Sequence, residues 1–274
     1  MRITIVTDTS AYMKKADAEA LGVTVVPLNY TVNGQKYTES YSDHNGDFQP
    51  LLTRGANCGT SQPNMGVFLG CFEEERRKGN QVLCITISSR WSGTYGAAYA
   101  AAKTIGDKNI AVFDSRLTAG GLYLLIKEAN ALVAKGVALS SILRMLPEIR
   151  DKISIIFSVS DMAPLRKSGR IGFVRMNVGT ILNIKPILQC RDGAVVSDGT
   201  ARGNTEAMKR LMAKVTDTTR EAVVSYVGEN QSASTLYHTI KEARPNLPVA
   251  LQKIGPVLGI HLGLKVLALS ALES

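Results

Sequence analysis

The feature that most constrains this chain is the alternation, in its first half, of short apolar runs with longer segments of helical periodicity. The runs "RITIVTD" (2–8), "VLCITI" (82–87) and "NIAVFD" (109–114) are apolar almost throughout, and a segment with helical spacing follows each of them. Strands that are apolar on both faces and alternate with helices are typical of a parallel sheet covered on both sides. The first half therefore predicts an α/β/α layer structure.

The carboxyl ends of these strands are the expected binding edge, because ligands of open parallel sheets bind beyond them. Asp8, Ser88 with Ser89, and Asp114 stand at those ends. An aspartate at the end of a strand also commonly forms an Asx-turn or caps the next helix. We therefore expect Asp8 and Asp114 to shape the loops of a cleft without touching a ligand.

Two dipeptides predict β-hairpins. Asn33-Gly34 separates "VTVVPLNYTV" from "QKYTES", and Asp192-Gly193 lies inside "KPILQCRDGAVVSDG". Asn-Gly and Asp-Gly suit the two-residue turns that join antiparallel strands, because both central positions of a type I′ turn need a positive φ. The second hairpin indicates antiparallel pairing in the second half of the chain.

The second half has a different organisation from the first. A strand over 153–160 precedes the Asp192-Gly193 hairpin, and helices and strands alternate from there to residue 254. This pattern predicts a mixed sheet with helices on one face. The predicted fold class is α/β with two domains, a parallel-sheet domain over 1–151 that carries a hairpin insertion and a mixed-sheet domain over 152–274. The ligand is expected in the cleft between them.

Composition excludes several classes of protein. The 274 residues are 45% hydrophobic and 20% charged, which is typical of a globular protein. The apolar stretch 254–272 contains Pro256 and Lys265, and a central lysine costs about 2.5–3.5 kcal/mol on insertion scales. We therefore expect buried structure of a soluble protein there and no integral membrane segment. Scattered cysteines without CxxC spacing, and no secretory signal, favour a cytoplasmic protein with reduced thiols and no metal or cofactor.

The formal net charge is +9, and one segment concentrates basic residues. The stretch Met162–Cys190 contains no acid, and its basic residues are Arg166, Lys167, Arg170, Arg175 and Lys185. It has one aromatic residue and no helix-turn-helix, RRM or KH pattern, so nucleic acid is not the expected partner. An acidic protein partner or a phosphorylated small molecule is compatible with the charge.

The stretch "SSRWSGTYGAA" (88–98) crowds hydroxyl groups between a predicted strand and a predicted helix. The backbone N–H groups of a helix start have no partners within the helix and attract an anion. Gly93 lets a ligand approach the backbone, while Ser92 and Thr94 add hydroxyl donors. A serine at this place is also the ordinary helix N-cap, so the stretch taken alone leaves both interpretations open.

A second stretch resembles the first. "GTSQPNMGVF" (59–68) places Thr60 and Ser61 before Pro63, at what the pattern predicts to be another helix start. Two hydroxyl-rich helix starts on the same half of the fold are expected to converge on one anion if they face the same cleft. That convergence is a hypothesis at this point.

These stretches also carry a family resemblance. The motifs, in chain order, are "TSQP" (60–63), "ISSRWSGTY" (87–95), "FDS" (113–115), "LRKSGRIG" (165–172), "IKPIL" (184–188) with "DG" (192–193), and "IGPVLGIHLG" (254–263). In this order and number they resemble the DegV family along essentially the whole chain. The resemblance implies a two-domain α/β protein that binds a fatty acid. It also implies a separate fatty acid kinase as a partner, which converts the bound acid to an acyl phosphate.

The resemblance assigns roles to individual residues of this chain. Those implied for the carboxylate of the fatty acid are Thr60, Ser61, Ser92, Gly93, Thr94 and His261. Arg170, in "SGRIG", and Arg202, in "DGTARG", match positions implied for the exposed carboxylate end and the kinase partner. No residue is assigned a catalytic role, and no cofactor beyond the fatty acid itself is implied.

The chain departs from the family pattern in two places. Leu264 and Lys265 follow the glycine after His261, where the family usually has glycine- and proline-like residues, and Thr118 stands where serine is common. These departures affect the predicted local shape near Leu264 and the preference for one ligand over another.

The two ends of a fatty acid contribute differently to binding. A long acyl tail contributes about 0.8 kcal/mol per buried methylene, on the order of 10 kcal/mol in all before ordering costs. A charged hydrogen bond contributes roughly 1.5–3 kcal/mol. The tail therefore dominates affinity, and the hydroxyls determine orientation. Phe157, Ile171, Phe173 and Leu258 are candidates to line the tail's tunnel.

Two other functions remain open on the residues alone. A serine hydrolase has Ser92 as nucleophile, His261 as base and Asp8 or Asp114 as the orienting acid, although the chain has no G-x-S-x-G motif. A phosphosugar-binding module is the second alternative, because helix starts do not distinguish phosphate from carboxylate. No Walker A or GxGxxG run supports nucleotide binding.

Overall fold

The structure is a computed structural model that describes residues 2–52, 56–170, 183–228 and 231–274. The strands are β1 (Ile3–Asp8), β2 (Val23–Val26), β3 (Asn29–Val32), β4 (Gln35–Thr38), β5 (Cys58–Ser61), β6 (Gln81–Thr86), β7 (Ile110–Asp114), β8 (Ile153–Val159), β9 (Ile184–Arg191), β10 (Ala194–Arg202), β11 (Thr219–Val227), β12 (Val249–Lys253) and β13 (Val266–Glu273). The helices are α1 (Lys15–Leu21), α2 (Met65–Arg77), α3 (Thr94–Ile105), α4 (Ala119–Ala134), α5 (Leu139–Asp151), α6 (Ala163–Ser168), α7 (Gly203–Met212), α8 (Gln231–Ala243) and α9 (Pro256–Leu262).

The first half forms the predicted parallel sheet. Its order is β2-β1-β6-β7, and all three strand pairs are parallel. Val6 and Cys84 pack on one face with residues of α2 and α3, while Ile5 and Leu83 pack on the other face in a core that includes α4. Both faces are apolar because both are covered, as the uniformly apolar strands predict.

A small antiparallel sheet extends this half, in the order β4-β3-β5. The β3–β4 turn is the predicted hairpin, with Asn33 at φ 50° and Gly34 at φ 83°. Strand β5 was not predicted, because its sequence "CGTS" lacks the β-branched alternation of an ordinary strand. Strand β5 is extended because it pairs with β3, and not because of the β-propensity of its own residues.

The second half forms a mixed sheet in the order β10-β9-β8-β13-β11-β12. The Asp192-Gly193 hairpin joins β9 and β10 as predicted. Helices α7 and α8 cover one face, where Ile156 and Val224 are buried. The opposite face carries Ile155 and Phe157 and packs in the core that contains α4. The helices of the second half lie on one face of the mixed sheet, as expected. The other face is covered by α4, which belongs to the first half.

Helix α4 lies between the two sheets and contacts β8, β11 and β13. Two glycines in its first turn make the close approach possible. A Cβ at Gly121 would lie 2.5 Å from Ile155 Cδ1, and one at Gly120 would lie 2.9 Å from Ser270 Oγ. The domain boundary predicted at residues 151 and 152 stays a prediction.

The apolar stretch over 254–272 folds as α9 and the buried strand β13. Within the described ranges, the helices are too short or too polar to cross a bilayer. The four cysteines are free thiols, and Cys84 is buried in β6 as predicted. Helices α6 and α9 were not predicted as separate elements, because each is a short segment containing proline.

Candidate functional site

The loop that follows β6 is held in place by the two predicted aspartates. Asp8 Oδ2 accepts a hydrogen bond from the Ile87 amide at 2.8 Å. Asp114 accepts from the Ser89 amide at 3.0 Å and from its hydroxyl at 2.6 Å. Both aspartates therefore shape the loop at the carboxyl ends of the strands, as expected.

The predicted helix start at Ser92 lies two residues later in the structure. Helix α3 begins at Thr94, and its N-cap is Gly93, which makes no side-chain capping bond. Ser92 Oγ instead lies 2.8 Å from Thr94 Oγ1 and accepts from the Thr94 amide at 3.3 Å. Ser92 is therefore not the N-cap residue, and its hydroxyl instead contacts the first residue of the helix from one position ahead of the cap.

Thr60 and Ser61 are not at a helix start either. Both belong to β5, where Thr60 pairs with Tyr30 of β3. Helix α2 begins at Met65, and its N-cap is Asn64, whose side chain accepts from the Val67 amide at 3.1 Å. The expectation that these hydroxyls stand at the helix start is therefore wrong, because β5 pairs with β3 as far as Ser61 and α2 begins only at Met65.

A small pocket nevertheless brings most of the predicted residues together. We call it the polar pocket, and its volume is about 40 Å³. Its lining residues are Leu28, Thr60, Ser61, Gln62, Ile87, Trp91, Ser92, Arg170, Val257, Leu258 and His261. A liquid water occupies about 30 Å³, so the space suits a group as small as a carboxylate. Gly93 and Thr94 do not line it, although the Thr94 hydroxyl contacts that of Ser92.

His261 of α9 is buried in this pocket, with 8% of its surface exposed. Its Nε2 lies 2.7 Å from Thr60 Oγ1, while its buried Nδ1 has no hydrogen-bond partner among the described residues. Burial and the nearby Arg170 lower the pKa of His261 to about 4. The imidazole is therefore neutral at physiological pH and donates a single proton.

Arg170 supplies positive charge to the same pocket. Its Nε donates to the Trp91 carbonyl at 3.2 Å and its Nη1 to the Ser168 carbonyl at 2.5 Å. Among the residues that the structure describes, no acid lines the polar pocket. The resemblance assigned Arg170 to the exposed end of the ligand, and in the structure it lines the polar pocket together with His261 and Ser92. Arg202 lies elsewhere, exposed at the end of β10, where its amide donates to Glu206.

A larger cavity of about 970 Å³ adjoins the polar pocket and shares Thr60, Arg170 and His261 with it. We call it the main cavity, and its other lining residues are Leu52, Ala56, Cys58, Gly59, Ser160, Asp161, Ala163, Pro164, Lys167, Ser168, Gly259, Ile260, Leu262, Gly263, Leu264 and Lys265. Its volume is at the upper end of the ~300–1,000 Å³ typical of ligand sites. Leu264 and Lys265, which depart from the family pattern, both line it.

The comparisons with other proteins agree with this geometry. The sequence model of the DegV family matches residues 2–274. The chain belongs to the DegV family. One relative, the DegV domain-containing protein BH3627 of Halalkalibacterium halodurans, is 31% identical over 269 residues, which are 96% of this chain and 95% of that protein.

Two solved structures share the two-domain DegV architecture. One is a DegV family protein from Thermus thermophilus that binds fatty acid. It is 27% identical to this chain with a TM-score of 0.87, and the match covers 100% of both chains. DegV of Bacillus subtilis, described as a fatty acid binding protein, is 25% identical with a TM-score of 0.86 and the same coverage of both chains. The parallel-sheet domain and the mixed-sheet domain described above are those of the DegV fold.

The predicted candidates for the tail are only partly placed in this DegV protein. Leu258 lines the polar pocket, and Phe157 is buried in the core with 4% of its surface exposed. Ile171 and Phe173 lie outside the described residues. The apolar side chains that line the main cavity were not predicted as a group, because they come from β5, α6 and α9 and meet only in the folded chain.

The hydrolase alternative lacks its triad in this arrangement. Ser92 bonds to Thr94, and His261 bonds to Thr60. Asp8 and Asp114 are engaged by loop amides and hydroxyls, so neither orients the histidine. In the described ranges, His, Cys, Asp and Glu side chains form no cluster that could hold a metal ion.

The sequence analysis missed five residues that line the polar pocket, and two of them, Gln62 and Trp91, contact other parts of the site. Gln62 lines the polar pocket and packs against the start of α3, where a Cβ on Gly93 would lie 2.6 Å from its side-chain amide. Trp91 lines the pocket and binds Arg170 through its carbonyl. Both stand inside the motifs "TSQP" and "ISSRWSGTY", so the signal was present in the sequence.

Proposed function

We propose that this DegV protein binds one long-chain fatty acid, with the carboxylate in the polar pocket and the tail in the main cavity. One observation carries the proposal. Thr60, Ser61 and Ser92, a neutral histidine and an arginine line a small pocket that adjoins a far larger cavity. The fatty acid binding described for the relatives from Thermus thermophilus and Bacillus subtilis supports the same ligand class.

The protonation of His261 follows from its partners. A proton on Nδ1 would leave a buried N–H donor without a partner among the described residues, and orphaned buried donors are rare. The proton is therefore assigned to Nε2, which donates to Thr60 Oγ1. The Thr60 hydroxyl is then left to donate its own proton to the carboxylate. His261 acts on the ligand through Thr60.

The set of donors in the polar pocket suits a carboxylate. Ser61, Ser92 and Thr60 supply hydroxyl protons, and the Arg170 guanidinium supplies a full positive charge. Charge-assisted hydrogen bonds of this kind each contribute roughly 1.5–3 kcal/mol. About 40 Å³ leaves room for the head group alone, so the bulk of any ligand extends into the main cavity.

The tail provides most of the affinity. Each methylene removed from water contributes about 0.8 kcal/mol, so a chain of common length contributes on the order of 10 kcal/mol before ordering costs. The apolar part of the main cavity that receives it includes Leu52, Ile260 and Leu264. Lys167 and Lys265 border the same cavity, and their long stems add apolar surface.

We further propose that the protein is a non-catalytic carrier that presents its ligand to a fatty acid kinase. The family resemblance supplies the partner, and the exposed Arg202 supplies a basic contact outside both cavities. An acidic surface on a kinase is complementary to that charge.

Mass spectrometry of ligand released from the purified protein tests the proposal. Recovery of one C14–C18 acid per chain is the expected result. Recovery of a sugar phosphate without lipid would refute it in favour of the phosphosugar alternative. A fluorophosphonate label gives a second measurement, and stoichiometric labelling of Ser92 would favour the hydrolase.

A further inference from the structure

Glu39 is an acid in the interior of the molecule. It directly follows β4, its exposed fraction is 0%, and no cation forms an ion pair with it among the described residues. Its Oε2 accepts from Thr9 Oγ1 at 2.8 Å, and its Oε1 accepts from the Val257 amide at 2.9 Å and lies 3.4 Å from the Tyr12 hydroxyl. These donors offset part of the cost of removing the Glu39 carboxyl from water, which is large for a buried acid that has no hydrogen-bond donors.

These contacts converge on the first turn of α9. Glu39 binds the Val257 amide, and the Tyr12 hydroxyl accepts from the next amide, that of Leu258, at 3.2 Å. Gly255, the N-cap of α9, leaves space for the carboxylate, since a Cβ there would lie 2.5 Å from Glu39 Oε1. Glu39 and Tyr12 together therefore bind two of the backbone donors that a helix start leaves unpaired.

Helix α9 transmits this attachment to the polar pocket. It is a helix of seven residues, so its first turn and His261 are separated by little more than one turn. Val257 and Leu258 line the polar pocket themselves, and His261 reaches Thr60 from the same helix. A change at the start of α9 moves three lining residues together.

We propose that Glu39 is a positioning residue of the polar pocket, whose ionised carboxylate holds α9 so that His261 stays against Thr60. The inference rests on the proposed function, because it describes how the head-group site is regulated. Protonation of Glu39 weakens its bond to the Val257 amide, loosens α9 and lowers the affinity for the carboxylate. Binding is therefore tightest above the pH at which Glu39 ionises.

The titratable groups that face Glu39 are Asp8, Tyr12 and Tyr30. Burial raises the pKa of Glu39 to about 7, with a further contribution from the charge of Asp8, against the lowering effect of its hydrogen bonds. Burial also raises the pKa of Asp8 and of both tyrosines. His261 titrates near pH 4, so a transition near pH 7 at the pocket is not its own.

Nuclear magnetic resonance of the histidine ring tests the inference without any ligand. The ¹³Cε1 resonance of His261 should show an inflection near pH 7 in the wild type and none in Glu39→Gln, which keeps the shape of the side chain but does not ionise. Glu242→Gln, on the exposed face of α8, is the matched control and should keep the inflection. A flat wild-type titration, or an inflection that survives in Glu39→Gln, overturns the inference whatever the protein binds.

Titration with cis-parinaric acid, a fluorescent C18 fatty acid, then measures the effect on binding. The wild type should bind about tenfold more weakly at pH 6 than at pH 8, as for the loss of one charge-assisted hydrogen bond. Glu39→Gln should show a ratio near one, at the weaker affinity. Equal pH ratios in the two proteins overturn the inference. No binding at any pH overturns the proposed function, and the histidine titration still decides the role of Glu39.

A second pair of variants covers the case in which Glu39→Gln fails to fold. Thr9→Val removes a donor to Glu39 Oε2 and should move the inflection of His261 to higher pH, because that donor stabilises the ionised form. Thr9→Ser retains the hydroxyl and should keep the wild-type midpoint. An unchanged midpoint in Thr9→Val overturns the inference.

Discussion

Replacing Thr60 by valine tests the donor arrangement of the polar pocket. Valine keeps the branched shape of threonine and removes only the hydroxyl. That hydroxyl lies 2.7 Å from His261 Nε2 and lines both the polar pocket and the main cavity. Thr60→Val therefore deletes the donor to the carboxylate and the acceptor of the histidine proton in one step.

The structure sets the size of both effects. Loss of one charge-assisted hydrogen bond, about 1.5–3 kcal/mol, should weaken fatty-acid binding by roughly 10- to 150-fold. Both ring nitrogens of His261 then lack partners among the described residues, since Nδ1 has none already. An unsatisfied buried donor costs about 1–3 kcal/mol, which should appear as a lower free energy of unfolding of the ligand-free protein.

The assay pairs cis-parinaric acid titration with urea unfolding of delipidated protein. Thr60→Ser is the matched control, because serine keeps the hydroxyl, and it should stay close to the wild type in both measurements. Affinity in Thr60→Val within twofold of the wild type would show that the hydroxyl does not touch the carboxylate. Unchanged stability would show that the contact with His261 is not formed.

Three further predictions follow from other parts of the molecule. The pKa of Glu39 rises from 4.5 to about 7 on folding, so ionisation of this group should lower the free energy of unfolding by about 3 kcal/mol as the pH rises from 4.5 to 7. Urea unfolding measured across that pH range should show this decrease in the wild type and not in Glu39→Gln. Gly121→Ala should lower the free energy of unfolding in urea by about 1–3 kcal/mol, because the added methyl group overpacks against Ile155. Gly70→Ala is the control, since a Cβ there meets nothing within 4 Å, and it should stabilise α2 by about 0.5–1 kcal/mol. Arg202→Ala should bind fatty acid normally and lower acyl-phosphate formation by a cognate kinase, whereas Arg170→Ala should lower both; equal losses in the two variants would contradict this division.

The strands of the parallel sheet were predictable from the sequence because burial on both faces leaves a local signature. Val82 to Ile85 are apolar at successive positions and are all buried, and Ile110 to Phe113 are apolar and buried or half-buried. A strand with helices on both sides is the arrangement that covers such a run on both faces. Strand β5 carries no such signature, since "CGTS" is ordered by its pairing with β3. Because β5 was not predicted, Thr60 and Ser61 were assigned to the approach to a helix instead of to a strand.

The members of the polar pocket were predictable only through the family resemblance. Thr60 and His261 touch across 201 positions of sequence, and no local pattern specifies such a contact. Glu39 was not singled out, because an acid after a hairpin strand ordinarily lies on the surface. Its burial arises where the three-stranded sheet, the end of β1 and α9 meet, which is a property of the folded chain.

The position of α4 limits how a ligand can enter. Leu122, Leu124, Leu125 and Ile126 are each 0% exposed, in a core that reaches both sheets. Exposing even these four side chains would cost about 6–12 kcal/mol, comparable with the entire stability of an ordinary domain. If the protein binds a fatty acid as proposed, we therefore expect the ligand to enter through a local rearrangement of the residues that line the main cavity, with α4 remaining packed between the two sheets.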